Sequence, residues 1–150
     1  MKSNGDPNLT AAKLLVEART SGPIKDLPNN CKPSSMSDVY AIHDAVAAKL
    51  GPVLGWKVGA KSANAEPICA PLLEGTIYSS PAQLDPQKFF MRGMESEIAF
   101  QFANDLPARD EPYTEDQVLG AIETAFPAIE INESRFVDTD ALDTMTKLAD

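Results

Sequence analysis

The alternation of polar and apolar residues along the chain is clearest over Met94–Phe102. Successive side chains of a strand point to opposite faces of the sheet. Ile98 and Phe100 therefore fall on one face, while Glu95 and Glu97 share the other. The pattern predicts a strand with an apolar face toward a core and two carboxylates roughly 7 Å apart on the opposite face.

A second short segment, Pro127–Ile131, repeats this pattern and places Glu130 opposite its apolar neighbours. Three carboxylates that converge on a rigid sheet suit a hard divalent cation, Mg²⁺ or Mn²⁺. The alternative is that Glu95 and Glu97 line a solvated strand face. Glutamate is a poor strand former, however, and here it interrupts two otherwise strong β segments. That placement keeps the metal-binding interpretation open.

Two amphipathic helices are predicted in the first third of the chain. The first spans Asn8–Ser21 and ends at Gly22. The second begins at the N-cap Ser35, carries Asp38 in its first turn and stops at Gly51. The predicted apolar positions are Leu9, Leu14, Leu15 and Ala18 in the first helix, and Val39, Ile42, Val46 and Leu50 in the second.

Beyond the second helix the pattern changes from helical to β. Strands are predicted at Val53–Gly59 and near Thr76–Tyr78, in addition to the two acidic strands. A capping box at Thr114–Gln117 starts a helix that continues through Ala125. A last helical stretch has its apolar residues at intervals of three: Leu142, Met145 and Leu148.

Helices that come first and strands that come later favour an α+β domain over alternating βαβ units. We expect residues 1–52 to form an N-terminal helical segment and residues 53–150 to form the first part of a β core, within one domain overall. Because the chain ends on an apolar helical face, we also expect the core to be incomplete at the C-terminus.

The composition of the chain narrows the classes of function. At 150 residues, 43% hydrophobic and 23% charged, it is a globular domain rather than a disordered one. A formal charge of −9 argues against binding to nucleic acid or to an anionic membrane surface. Cys31 and Cys69 lack CxxC spacing and indicate free thiols in a reducing cytoplasm. With one histidine and two scattered cysteines, a zinc site is not expected.

Five segments carry motifs whose order and spacing match one known family. They are Tyr40–Ala45, close to Y-A-I-Q-D/A; Gly55–Gly59, G-x-K-V-G; Pro71–Gly75, P-x-x-x-G; Glu95–Phe100, E-x-E-I-A-F; and Pro127–Ile131 followed by Ser134–Arg135, P-A-I-E-I with a trailing S-R. With these segments the chain resembles the fumarylacetoacetate-hydrolase-like superfamily. More narrowly, it resembles the 2-oxopent-4-enoate hydratase and 4-oxalocrotonate decarboxylase branch. The resemblance runs from the first helix to the last residue.

This resemblance implies helices packed on a mixed β-roll, and a Mg²⁺ or Mn²⁺ held by Glu95, Glu97 and Glu130. It implies a small anionic 2-oxo or 2-hydroxy-dienoic acid as substrate. Lys57 is the candidate acid, base or enolate-stabilising group, with an exposed strand lysine as the alternative. Arg135 is expected either to bind a substrate carboxylate or to pair with a ligand glutamate.

One position departs from the family pattern. Family hydratases commonly have an aspartate just after the strand that follows the P-x-x-x-G segment, and Ser80 occupies that position here. A serine hydroxyl cannot replace a carboxylic acid as a proton donor near neutral pH. Ser80 is therefore assigned to substrate binding. His43, the only histidine, replaces a family glutamine and is expected to have a surface or packing role in its helix rather than a catalytic one.

The activity implied by the resemblance is that of a cytoplasmic, metal-dependent lyase of aromatic catabolism. Hydration of a 2-hydroxypenta-2,4-dienoate type of substrate is the main expectation, and decarboxylation of a 2-oxo-3-enedioate at the same metal is the alternative. We expect the chain to form a homo-oligomer. Family members continue well beyond residue 150. The chain therefore resembles their N-terminal portion, so an inactive fragment or a subunit that needs a partner is a third interpretation.

Overall fold

The computed structural model describes residues 5–150, which form an α+β protein, as the sequence predicts. Its helices are α1 (Pro7–Ser21), α2 (Met36–Leu50), α3 (Glu115–Ala121) and α4 (Thr144–Leu148). Its strands are β1 (Val53–Gly59), β2 (Ile68–Leu73), β3 (Gly93–Phe102) and β4 (Ile122–Asn132). A single 3-10 turn, Pro86–Lys88, precedes β3.

The chain divides into two compact units. One comprises residues 5–85 together with Ser134–Asp150, and the other is Pro86–Glu133. The first contains α1, α2, β1, β2 and α4, and the second contains β3, α3 and β4. Each unit has one two-stranded antiparallel sheet, β1–β2 or β3–β4. Among the helices of residues 5–150, none is long and apolar enough to span a membrane.

The hydrophobic core of the first unit lies between α1, α2 and the segment around α4. Side chains cap both long helices: Asp6 accepts a hydrogen bond from the backbone N–H of Asn8, and Ser35 accepts one from that of Asp38. The predicted N-cap at Ser35 is confirmed. The buried core residues are Ala11, Ala12, Leu15, Leu27, Cys31, Val39, Ile42, Val46, Phe136, Leu142 and Ala149.

The predicted apolar face of α1 is wrong at one position. Leu9 is 55% exposed, whereas Ala11 and Ala12 are fully buried. The alanines allow the backbone of α1 to approach α2 closely, and the helix is therefore rotated so that its first leucine faces away from the core. The face of α2 agrees with prediction, because Val39, Ile42 and Val46 are all buried.

The strand predicted near Thr76–Tyr78 is also wrong. The partner of β1 is β2, at Ile68–Leu73, which includes Pro71 opposite Trp56. Proline is tolerated there because both strands of a two-stranded sheet have a free edge. A turn follows β2, in which Thr76 donates its backbone N–H to the carbonyl of Leu73 (3.0 Å).

The apolar face of α4 is covered within its own unit. Leu142 and Ala149 are buried, and Met145 and Leu148 pack against the same core as α2. The apolar face of α4 therefore gives no support to the expectation of an incomplete core, which stays a prediction. The apolar spacing correctly indicated a buried face. The helices that cover it come from the beginning of the chain, and the periodicity of a local segment does not predict which distant segment packs against it.

In the second unit, α3 is shorter than predicted. It has the capping box expected from Thr114 and Gln117, but it ends at Ala121 rather than continuing through Ala125. Ile122 has extended backbone angles, and from there the chain pairs with the distal half of β3. The interstrand hydrogen bonds gained by this pairing outweigh the helical preference of Ile122–Ala125, because a helix as short as the predicted one is marginal in water on its own.

The apolar face of the β3–β4 sheet is solvent-accessible. Ile98 is 64% exposed and Phe100 55%, with Met94 and Ile129 more exposed still, at 74% and 72%. The alternation that placed these side chains on one face is confirmed. The expectation that this face packs into a core is not met by residues 5–150.

Candidate metal centre

The three predicted acidic residues converge on one face of the β3–β4 sheet. Glu95 and Glu130 are directly paired across the two antiparallel strands. Glu97 lies two residues further along β3 and therefore on the same face. Each residue offers one carboxylate oxygen, and the three oxygens all lie within 4.8 Å of one another. The predicted convergence is confirmed, and the binding of an ion there stays a prediction.

The spacing of these oxygens fits a small octahedral cation. Metal–oxygen distances of about 2.1 Å place two ligand oxygens about 3 Å apart when adjacent and about 4 Å apart when opposite. The observed limit of 4.8 Å is within reach of small rotations of the glutamate side chains. At this separation two carboxylates repel each other by about 1 kcal/mol even at the dielectric constant of water. A divalent cation removes that repulsion.

Register and strand order explain why the carboxylates meet. The antiparallel pairing runs without interruption from Gly93, opposite Asn132, to Gln101, opposite Thr124. An irregularity follows beyond Gln101, outside the stretch that carries the acidic residues. A one-residue slip in this stretch would move Glu130 to the apolar face.

The beginning of β3 is tied to the end of β4 by a carboxylate. Glu133 accepts hydrogen bonds from the backbone N–H groups of Phe90 and Met91, the latter at 3.0 Å. Between Met91 and the strand, Arg92 has a left-handed backbone (φ 56°), which turns the chain into β3. These contacts fix the end of the sheet at which the acidic residues lie.

One side chain next to the acidic cluster was missed by the sequence analysis. The Nδ2 atom of Asn132 donates a hydrogen bond to Oε1 of Glu95 at 2.7 Å. Asn132 follows Glu130 by two residues and therefore lies on the same face of β4. The same alternation that identified Glu130 would have identified it.

Lys57 lies in β1, opposite Ala70 of β2, and is half-buried. Its neighbours Trp56 and Val58 project from the other face, where they are 57% and 59% exposed. The alternative of an exposed strand lysine does not match this half-buried position. Lys57 belongs to the first unit, and its catalytic role stays a prediction.

The two residues predicted to bind substrate also belong to the first unit. Ser80 is exposed in the loop after β2. Arg135 forms an ion pair with Asp150, with 2.5 Å between Nε and Oδ1, and the two side chains are only 14% and 8% exposed. Asp150 also accepts hydrogen bonds from the backbone N–H of Arg135 and the hydroxyl of Ser134. No sequence motif had indicated Asp150 as the partner of Arg135. A contact between Arg135 and a substrate stays a prediction.

His43 has the packing role expected of it. It is buried in α2, and its Nε2 lies 2.8 Å from the carbonyl oxygen of Leu148. Because a carbonyl only accepts, Nε2 carries the proton, and Nδ1 is buried with no hydrogen-bond partner among the described residues. Burial lowers the pKa of His43, against the raising effects of the Leu148 carbonyl and of the charges of Asp44 and Asp150.

A small cavity of about 50 Å³ lies beside this histidine in the first unit. Its polar lining comes from Arg19, His43, Arg135 and Asp150, and the rest is apolar. Partial desolvation lowers the pKa of Arg19, as does the neighbouring Arg135 charge, while Asp150 raises it. The buried ion pair therefore occupies the polar side of this cavity.

Comparison with known proteins does not assign the chain to a family. No protein-family model matches the sequence. A search of the curated proteins finds no significant match either. The acidic cluster and its geometry are therefore the basis of the functional argument.

Proposed function

We propose that the protein binds Mg²⁺ or Mn²⁺ through Glu95, Glu97 and Glu130 and acts as a metal-dependent lyase on small 2-oxo acids. The observation that carries this proposal is the convergence of three carboxylates from two paired strands on one sheet face. Exposed acidic groups are common on protein surfaces. A cross-strand pair plus a third carboxylate within 4.8 Å is a more restrictive arrangement.

The type of ligand supports a hard cation. All three groups offer carboxylate oxygens, which favour Mg²⁺ and Mn²⁺ over the softer ions that bind cysteine and histidine. Three protein oxygens leave about three of six octahedral positions for substrate and water. Glu97 and Glu130 are half-buried, so an ion at this position would be partly shielded from solvent.

A bound divalent ion would act as a Lewis acid toward a 2-oxo acid that chelates it through its carboxylate and its C2 oxygen. The three glutamates would orient such a substrate by leaving one side of the ion open. Lys57, half-buried on β1, is the proposed group that moves a proton. Together with this function we propose that the α+β fold is the mixed β-roll implied by the family resemblance.

The metal assignment is tested by titrating the chain with Mn²⁺ in a calorimeter. We expect one ion per chain for the wild type and no measurable binding for Glu97→Gln, because the amide removes a charged ligand. Glu123→Gln is the matched control: Glu123 lies on β4 and its carboxylate accepts a hydrogen bond from Gln101 (3.0 Å), outside the acidic cluster. Unchanged affinity in Glu97→Gln, or no binding by the wild type, would refute the assignment.

The reaction is tested separately with two substrates and the same protein. Loss of dienoate absorbance with 2-hydroxypenta-2,4-dienoate would indicate hydration, and release of carbon dioxide from a 2-oxo-3-enedioate would indicate decarboxylation. Both activities should require the added metal. If the chain binds Mn²⁺ but transforms neither compound, the metal assignment stands and the proposed lyase activity is refuted.

A further inference from the structure

The amide of Asn132 is positioned to control how Glu95 binds an ion. Its Nδ2 atom donates to Oε1 of Glu95 at 2.7 Å. The opposite amide orientation would place an oxygen against a carboxylate oxygen, and since both are acceptors that contact would be repulsive. The donor orientation is therefore fixed by chemistry, and Oε1 of Glu95 is already engaged.

The residue opposite Asn132 leaves room for this contact. Asn132 pairs across the sheet with Gly93, and a Cβ atom added at Gly93 would lie 3.0 Å from the Cβ of Asn132. This distance is shorter than an ordinary van der Waals contact. The atom in conflict is the Cβ of Asn132, which cannot move away by a side-chain rotation as the end of a flexible side chain could. Gly93 thus allows Asn132 to stay where its amide reaches Glu95.

We infer that Asn132 is a positioning residue that holds Glu95 to coordination through one oxygen and so favours Mg²⁺ and Mn²⁺ over Ca²⁺. This inference rests on the proposed metal centre. A carboxylate with one oxygen occupied by an N–H donor has the other oxygen left for an ion. Ca²⁺ takes six to eight oxygens at 2.3–2.6 Å and often binds a carboxylate through both oxygens, whereas Mg²⁺ requires six at about 2.1 Å.

The hydrogen bond also orders the ligand before an ion arrives. Glu95 is exposed, and an exposed glutamate samples several rotamers that must be restricted on binding. The contact with Asn132 restricts them in advance and aligns the carboxylate with Glu130, its cross-strand partner. Partners of metal ligands commonly change metal affinity by about 10- to 100-fold when removed.

The test replaces Asn132 by leucine, which has the same number and branching of side-chain heavy atoms but cannot donate a hydrogen bond. Mn²⁺ and Ca²⁺ dissociation constants are measured by calorimetry, and the electron paramagnetic resonance spectrum of bound Mn²⁺ reports its coordination symmetry. We expect Asn132→Leu to bind Mn²⁺ about 10-fold more weakly. Ca²⁺ affinity should stay unchanged or rise, because Glu95 gains its second oxygen. The Mn²⁺/Ca²⁺ preference should therefore fall at least about 10-fold.

The chain contains a matched control for this substitution. Gln101 donates an amide hydrogen bond to Glu123 (3.0 Å) on the same sheet, away from the acidic cluster. Gln101→Leu removes the same kind of contact and should leave both affinities unchanged. Gly93→Ala provides a second variant, which should displace Asn132 and weaken Mn²⁺ binding in the same direction without changing any polar group.

The outcomes separate this inference from the proposed function. If the wild type binds Mn²⁺, Glu97→Gln abolishes binding and Asn132→Leu keeps the wild-type Mn²⁺/Ca²⁺ ratio, the positioning role is wrong and the metal centre stands. If Asn132→Leu and Gln101→Leu weaken Mn²⁺ binding equally, the effect comes from the stability of the sheet and the inference fails. If the wild type binds neither ion, both the metal centre and the inference fail.

Discussion

At the scale of single residues, the candidate metal centre and the buried polar groups depend on where charged side chains lie and what they contact. Glu95 and Glu130 face each other in register, and Asn132 contacts one of them. In the other unit the Arg135–Asp150 pair is largely buried and carries opposite charges that compensate each other. His43 is buried without such a partner for Nδ1, and the fold therefore opposes its protonation.

The stability of the protein should therefore depend on the protonation of His43. Its pKa is lowered by burial, so the unfolded chain takes up the proton more readily than the folded one. The stabilisation is fully present above the ordinary histidine pKa of about 6.5 and is lost as the pH falls below it toward the folded value. Urea unfolding between pH 7.5 and 5 should show a falling midpoint for the wild type.

The control for this prediction is His43→Gln, because a glutamine amide can donate to the Leu148 carbonyl as Nε2 of the imidazole does and does not titrate. Its unfolding midpoint should depend less on pH over the same range. The other titratable residues are the same in both proteins, so the difference between the two curves reports on the imidazole. Parallel curves would show that His43 contributes nothing to the pH dependence.

At the scale of secondary-structure elements, the capping residues predicted the starts of α2 and α3 correctly, whereas the end of α3 and the partner of β1 were predicted wrongly. Ser35 and Thr114 begin α2 and α3 as predicted. The end of α3 at Ala121 was mispredicted because Ile122–Phe126 can satisfy a helical pattern or pair with β3, and only the presence of β3 decides between them. The strand opposite β1 was misplaced for the same reason, since pairing partners are a nonlocal property.

Removal of the α3 cap tests whether the helix and the metal centre are independent. Thr114→Ala loses the hydrogen bond from Gln117 N–H, and caps of this kind contribute about 1 kcal/mol. We expect the free energy of unfolding to fall by about that amount in urea titrations, with Mn²⁺ affinity unchanged because the ligands lie on β3 and β4. A loss of Mn²⁺ affinity in the folded variant would mean that α3 also orders the metal centre.

At the scale of the whole molecule, the uncovered apolar sheet face is the main departure from expectation. Four large side chains on the β3–β4 sheet are more than half exposed: Met94, Ile98, Phe100 and Ile129. Contiguous exposed apolar surface of this kind favours association. The predicted homo-oligomer remains a prediction, and this sheet face gives it a physical basis.

Light scattering during size-exclusion chromatography tests this prediction. We expect the wild type to elute above the mass of a single chain, and the double substitution Ile98→Thr with Ile129→Thr to shift it toward the monomer. Leu9→Thr is the control, because Leu9 is also about half exposed but lies on α1 in the other unit. A wild type that is monomeric at all accessible concentrations would contradict the prediction.

The sequence by itself determined the α+β class, the caps of α2 and α3, the strand carrying Glu95 and Glu97, and the face of β4 on which Glu130 lies. These features follow from short-range rules: strand side chains alternate, and caps act within one helical turn. Only the tertiary structure decided the register that pairs Glu95 with Glu130, the partner of β1, the Asn132 contact and the burial of α4. Each of these depends on contacts between segments far apart in the chain, which no local pattern specifies.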